Sequence, residues 1–179
     1  MRIRNACIFD AEELLDIYAP YVTDTAVTFE YTVPDLPEFE GRMASVMKKY
    51  PYLVLEHDGK IQGYAYAGVF KGRAAYDWSA ETTIYLRMDA RQKGFGRKLY
   101  EALEQELIKR HFLNAYACIT FAVQEDEYLS LASPRFHERM GYHLCGTFRK
   151  CGYKFGRWYD MIWMEKWLGD HPSAPLPPG

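Results

Sequence analysis

The chain has 179 residues, 49% of them apolar, enough to build one sizeable core without metals or disulfides. Its 22 lysines and arginines nearly balance 24 aspartates and glutamates, which argues against the broad positive field of a protein that binds nucleic acid or an anionic membrane. Cys7, Cys118, Cys145 and Cys151 show no C-x-x-C pair or regular spacing, so neither a zinc site nor a disulfide framework is implied and the thiols read as buried or idle.

The N-terminal MRIRNACIFD lacks the long apolar core of a signal peptide, and no segment approaches the roughly 18 apolar residues of a membrane span. The expectation is a cytoplasmic protein. Ile3 to Cys7 reads as a short strand, followed by Asp10 as N-cap of a helix with Glu12 and Glu13 in its first turn and an end before Pro20. A second helix starts near Asp35, where Phe39, Met43, Val46 and Met47 recur at helical spacing until Tyr50-Pro51 breaks the pattern.

YLVLEHDGKIQGYAYAGVF is two apolar runs joined by Asp58-Gly59, a dipeptide suited to the positive φ angles of a tight hairpin turn. After the irregular KGRAAYDWS, the run ETTIYLRM alternates Ile84, Leu86 and Met88 against Thr83, Tyr85 and Arg87, as a strand does. Leu99, Leu103 and Leu107 then mark one face of a helix whose other side carries Glu101, Gln105 and Lys109. AYACITFAV is the next strand, with Cys118 expected to be buried in it. A helix over Ser133 to Met140 ends at Gly141, a left-handed C-cap, and strands follow around HLCGTF and WYDMIWM. The order β-α-α-β-β-β-α-β-α-β-β implies an α/β fold with a mixed sheet. Residues 1–168 read as one domain and the Pro-rich 169–179 as a loose tail.

Residues 91 to 100, RQKGFGRKLY, place two glycines among four cations at the start of a helix. Glycine lets backbone amides approach a ligand, and the first helical turn offers unpaired N–H donors, so such a loop suits an anion. Arg87, Arg91, Lys93, Arg97 and Lys98 favour a multiply charged phosphate. Leu99 stands where the dinucleotide fingerprint needs a small residue, and no Gly-Lys-Ser/Thr follows, which disfavours NAD and ATP.

Arg91-x-x-Gly94-x-Gly96, after a strand and opening a helix, resembles the acyl-CoA pyrophosphate loop of the GNAT N-acetyltransferases. The runs GYAYAGVFKGRAAYDWSAETTIYL, FHERMGY and GYKFGRWYDM are similar to the branch of that family that acetylates phosphinothricin and methionine sulfoximine, and the likeness extends to about Trp167. The resemblance implies the GNAT acyl-CoA N-acyltransferase fold, a mixed, mostly antiparallel sheet flanked by helices. It also implies acetyl-CoA as the acetyl donor, no metal, a small-molecule amine as acceptor and a homodimer.

Acetyl transfer to an amine needs a neutral amine, a polarised carbonyl and a proton for the departing thiolate. Glu81, at the start of the strand that leads into the loop, is the candidate base, and the resemblance places a catalytic glutamate there. His137 lies where the branch carries a histidine, as acid for the thiolate or as a second base. Tyr76 is placed to hydrogen-bond the amine or acetyl oxygen, and Arg73 to hold a carboxylate or phosphinate with two parallel bonds. Phe29 would wall the same pocket. For the cofactor, the strand backbone at Leu86 and Met88 would flank the pantetheine arm, while Arg91, Gln92, Lys93, Gly94, Phe95, Gly96 and Arg97 hold the pyrophosphate. Where the branch has an asparagine against the pantetheine, this chain reads EDEYLSLASPRF, leaving Ser130 or Ser133 to substitute. Tyr153, Lys154, Arg157 and Trp158 are expected to face a second subunit. Other readings are a different acceptor, such as a protein N-terminus, polyamine or aminoglycoside, and a non-catalytic acyl-CoA-binding module.

Overall fold

The computed structural model describes residues 1–179. Seven strands form one sheet in the order β1-β2-β3-β4-β5-β7-β6. They are β1 (Arg2–Asn5), β2 (Tyr52–His57), β3 (Lys60–Val69), β4 (Ser79–Leu86), β5 (Asn114–Phe121), β6 (His143–Lys154) and β7 (Arg157–Trp167), with helices α1 (Ala11–Thr23), α2 (Leu36–Met47), α3 (Phe95–Lys109) and α4 (Ala132–Arg139). The element order and the mixed sheet are those the sequence implies. Every neighbouring pair is antiparallel except β4 and β5, which run parallel because α3 crosses between them.

Each face of the sheet is covered by a different set of apolar side chains. Leu99, Leu103 and Leu107 of α3 are fully buried against Leu53, Leu55, Ala65, Ala67, Ala115 and Ala117. The small alanines let the helix settle close to the strands. On the opposite face, Leu14, Ile17 and Tyr18 of α1 and Phe39 and Met43 of α2 meet Tyr52, Val54 and Tyr64. The β2–β3 turn has Asp58 at φ 52° and Gly59 at φ 74°, the positive angles expected of a two-residue hairpin.

Several expected boundaries are displaced. Helix α1 continues through Pro20 to Thr23, with Asp24 N–H bonded to the Pro20 carbonyl at 3.0 Å. Burial of Ile17, Tyr18, Tyr21 and Val22 outweighs the one backbone bond that proline removes. Asp10 stands at the N-cap position of α1 as expected, but its side chain makes no capping bond to the helix; its carboxylate takes Arg4 at 2.7 and 2.8 Å and the Cys7 N–H at 2.8 Å instead. Strand β4 ends at Leu86, and Met88 falls in a single 3-10 turn, Met88–Ala90, instead of the strand. Arg87 is spent on Glu13 at 2.8 Å and the Ile61 carbonyl at 2.7 Å, which withdraws it from the loop cations. All four cysteines are exposed, Cys118 among them, because its side of β5 faces an open cleft and not the α3 core. The Pro-rich tail forms no helix or strand. Trp78 Nε1 donates to the Leu176 carbonyl at 2.7 Å, and Gly179 N–H to the Arg110 carbonyl at 3.1 Å.

Candidate active site

Strands β4 and β5 pair only at Ser79–Asn114, Ala80–Ala115 and Glu81–Tyr116. Beyond Glu81 they part, and a cavity of about 300 Å³ fills the gap, lined by Thr82 to Tyr85 on one side and Ala117 to Thr120 on the other. Glu81 therefore stands at the apex of a wedge within the sheet. Val27, Thr28, Phe29, Leu129, Ser133 and His137 close the cavity from α4 and the loops.

Burial pushes the Glu81 carboxyl above the usual carboxylate range, and the Lys71 ammonium partly opposes that shift. Lys71 lies 5.2 Å from the centroid of the Phe70 ring and 5.4 Å from that of Trp163. Phe70 in turn stacks on Tyr116, the strand partner of Glu81, with ring centroids 4.1 Å apart. Register places Gly68 opposite Glu81, Tyr66 opposite Thr83 and Tyr64 opposite Tyr85. Tyr66 and Tyr85 thus share the face of Glu81 and line the cavity with it. Cys118 also lines it; although the residue as a whole is exposed, partial loss of water around its sulfur within the cleft raises the thiol to about 11, so it stays protonated at neutral pH and is a poor nucleophile.

His137 is 3% exposed, and both ring nitrogens are engaged. The Ser133 carbonyl, 2.9 Å from Nδ1, can only accept, so Nδ1 carries the proton and Nε2 takes the Tyr100 hydroxyl at 2.9 Å. Tyr100 Oη is 2.6 Å from Thr82 Oγ1. Burial lowers the His137 pKa to about 4. The imidazole is neutral at ordinary pH, with its proton committed to a backbone carbonyl.

The glycine loop opens α3 next to β4. Gly94 has φ 79°, a left-handed angle, with open space where a Cβ would be. Its glycine serves conformation. Gly96 serves packing: a Cβ there would lie 3.3 Å from Leu86 Cδ1 and 3.5 Å from Phe136 Cε2. Phe95 is buried, whereas Arg91, Gln92, Lys93, Arg97 and Lys98 are exposed. Arg97 pairs with Glu101 at 2.8 Å, and Arg91 lies over the Tyr21 ring at 5.0 Å. The amides of the first α3 turn have no helical acceptor, and with Lys93 and Lys98 beside them they fit a diphosphate. At Leu86 the backbone is already occupied, since the Tyr21 hydroxyl accepts from its N–H at 3.2 Å and donates to its carbonyl at 2.6 Å.

Of the expected site residues, Glu81, His137, Phe29 and Ser133 come together at the cavity. Arg73 and Tyr76 do not line it. They sit exposed in the stretch between β3 and β4, Tyr76 in a 3-10 turn, Ala74–Tyr76, with its ring 6.0 Å from Phe70. Ser130 is exposed and outside the lining, so Ser133 is the serine at the cavity. Lys154 does not face outward: it is 2% exposed, while Tyr153, Arg157 and Trp158 are exposed. Sequence reasoning missed Lys71, Tyr66, Tyr85 and the Thr82–Tyr100–His137 chain. The alternation Tyr64-x-Tyr66 was a signal, but only the β3–β4 register assigns those rings to the face of Glu81.

Residues 3–163 match the family described as Acetyltransferase (GNAT) domain. The chain is 34% identical over 180 residues to a phosphinothricin N-acetyltransferase of Streptomyces viridochromogenes, covering 99% of this chain and 94% of that relative. It is 31% identical to an L-methionine sulfoximine/L-methionine sulfone acetyltransferase of Pseudomonas paraeruginosa, covering 97% of this chain and 98% of the relative. A crystal structure of a phosphinothricin acetyltransferase from Sinorhizobium meliloti in complex with AcCoA superposes with a TM-score of 0.87 at 32% identity, covering 98% of this chain and 92% of that one.

Proposed function

We propose, from the premise that this chain belongs to the GNAT acetyltransferase family and is an N-acetyltransferase, that its acceptor is the α-amino group of a small amino acid or a toxic analogue of one. The acetyl donor is acetyl-CoA, and transfer is direct, within a ternary complex. The relatives that act on phosphinothricin and on methionine sulfoximine or sulfone support this acceptor class. The observation that carries the mechanism is the position of Glu81, half-buried at the apex of a cavity that opens where β4 leaves β5.

An α-ammonium has a pKa of about 8, so at neutral pH a base must take its proton before nitrogen can attack a thioester. Glu81 takes that proton, directly or through one water. Its burial favours the step, because a carboxylate with a raised pKa is a stronger base than an exposed one. The first-turn amides of α3, with Arg91, Gln92, Lys93, Gly94, Phe95, Gly96 and Arg97, hold the diphosphate, and Ser133 borders the pantetheine path. Lys71 and Arg73, on the exposed stretch between β3 and β4, would supply cations for the acceptor's carboxylate or phosphinate and Tyr76 a hydroxyl once that stretch folds over the bound acceptor, and Phe29 walls the cavity. His137 is neutral and doubly bonded, so its part is to fix α4 against Tyr100 and shape the thioester end. As the tetrahedral adduct collapses, the nitrogen sheds its second proton to water and the departing thiolate takes one back from water, so that free CoA thiol and the amide leave with one net proton on Glu81. The protein works as a homodimer built on the β6–β7 end of the sheet.

A thiol-release assay across small amino acids, phosphinothricin, methionine sulfone, polyamines, aminoglycosides and an N-terminal peptide tests the acceptor. Amino acids and their analogues should give the highest kcat/KM. A preference for a polyamine or a peptide would overturn the assignment.

A further inference from the structure

Residues 24–31 form one wall of the cavity without belonging to any helix or strand, and contribute Val27, Thr28 and Phe29 to its lining. The far end of β6 is what holds them. Lys154 donates from its buried ammonium to the carbonyls of Val22, Thr25 and Thr28, each at 2.8 Å. Three converging carbonyls use all three N–H bonds that a lysine has. The Val22 carbonyl belongs to the last turn of α1, so the same ammonium places positive charge at the negative end of that helix. Two residues earlier, a Cβ at Gly152 would lie 2.2 Å from the Phe29 ring, which means the ring occupies the space of a missing side chain. The Tyr31 hydroxyl donates to the Tyr153 carbonyl, and Thr120 Oγ1 to the Val27 carbonyl at 3.2 Å.

We propose that Lys154, with Gly152 as its companion, is a positioning residue for the acceptor: from β6 it grips the irregular wall of the cavity and so sets the shape of the acceptor end. The proposal rests on the reading of this cavity as the amine site. Methionine at 154 keeps the length of the side chain and removes every donor, leaving three buried carbonyls unpaired. Arginine's planar fork cannot converge on the same three acceptors, so it is no conservative replacement here.

The test compares Lys154→Met, Lys154→Arg and Gly152→Ala with the wild type by steady-state kinetics and by amide hydrogen exchange of the full chain. In all three variants, the acceptor KM should rise on the order of tenfold while the acetyl-CoA KM stays within about twofold, since a displaced wall harms one substrate only. Exchange at residues 24–31 should quicken in the Lys154 variants, with the α3 core residues Leu99, Leu103 and Leu107 unchanged. If Lys154→Met does not fold, Gly152→Ala carries the same split, because its methyl displaces Phe29 alone. Unchanged exchange and unchanged acceptor KM would overturn the proposal, as would both KM values moving together with thermal stability. Should the wild type acetylate no amino acid, the exchange comparison still decides the role of Lys154, and the failure falls on the acceptor reading instead.

Discussion

Glu81 and His137 sit in one cavity and are shifted in opposite directions by the same cause, loss of water around their charged forms. For Glu81 the neutral form is favoured, so the working carboxylate appears only above the usual carboxylate range. The wild-type kcat/KM should therefore fall as pH drops through that raised value. Glu81→Gln should lower kcat/KM at neutral pH by roughly 10²- to 10⁴-fold and abolish this acid limb; pH–rate profiles of both proteins check it, and an unchanged profile removes Glu81 from the mechanism. For His137 the folded pKa of about 4 lies below the unfolded value of 6.5. The unfolded chain binds the extra proton between these values, so stability is complete above 6.5 and is lost as pH falls toward 4. Each tenfold difference in proton affinity between the folded and unfolded chain is worth about 1.4 kcal/mol, which makes the loss about 3 kcal/mol. Urea denaturation between pH 7 and pH 4 should show this decline in the wild type and a flatter one in His137→Gln. Equal slopes would mean that the imidazole is not neutral and buried in solution.

At the scale of the element, the loop and α3 separate two uses of glycine that the pattern Gly94-x-Gly96 does not distinguish. Gly94 adopts φ 79° in open space, whereas Gly96 lies against Leu86 and Phe136. Gly94→Val should strain the loop by about 1–3 kcal/mol and weaken acetyl-CoA binding while the α3 core stays packed. Gly96→Val should instead push α3 off β4 and lower the melting temperature markedly. Calorimetric titration with acetyl-CoA alongside thermal melts separates the two, and a Gly94→Val protein that binds acetyl-CoA as tightly as the wild type would refute the loop assignment. The elements themselves are readable from sequence because their signals are local: alternation in ETTIYL, the Leu99, Leu103, Leu107 stripe, the Asp58-Gly59 turn. Helix α1 passing through Pro20 is not readable, since its continuation depends on Tyr21 and Val22 packing against a sheet that exists only in the folded chain. Nor are Lys71 and Lys154. One acts through its distance from Glu81 and the other through three carbonyls more than a hundred residues away, and neither leaves a pattern in the chain.

For the whole molecule, the parallel joint between β4 and β5 does two things at once. It opens the sheet to make the cavity, and it leaves β7 and β6 as an antiparallel extension on the far side. That extension ends in β6, a twelve-residue edge strand exposed over most of its length. Leu144 is 61% exposed, Phe148 54% and Trp158, on the neighbouring strand, 61%. Exposed apolar side chains along an edge strand invite another strand or sheet face, and natural proteins either blunt such an edge or cover it. β6 carries no proline, but two register shifts and the exposed Arg149 and Lys150 break its middle, so a partner would cover the exposed Leu144 and Phe148 and not add a continuous strand. A second copy of the chain covering this edge accounts for these exposed side chains, so sedimentation at micromolar concentration should give twice the chain mass of 20.9 kDa. Leu144→Asp combined with Phe148→Asp should shift the protein to monomer by desolvating charge in the contact, with the α3 core untouched. A wild type that sediments as monomer would leave the edge uncovered and end the dimer reading, while the cavity and Glu81, which belong wholly to one chain, would stand.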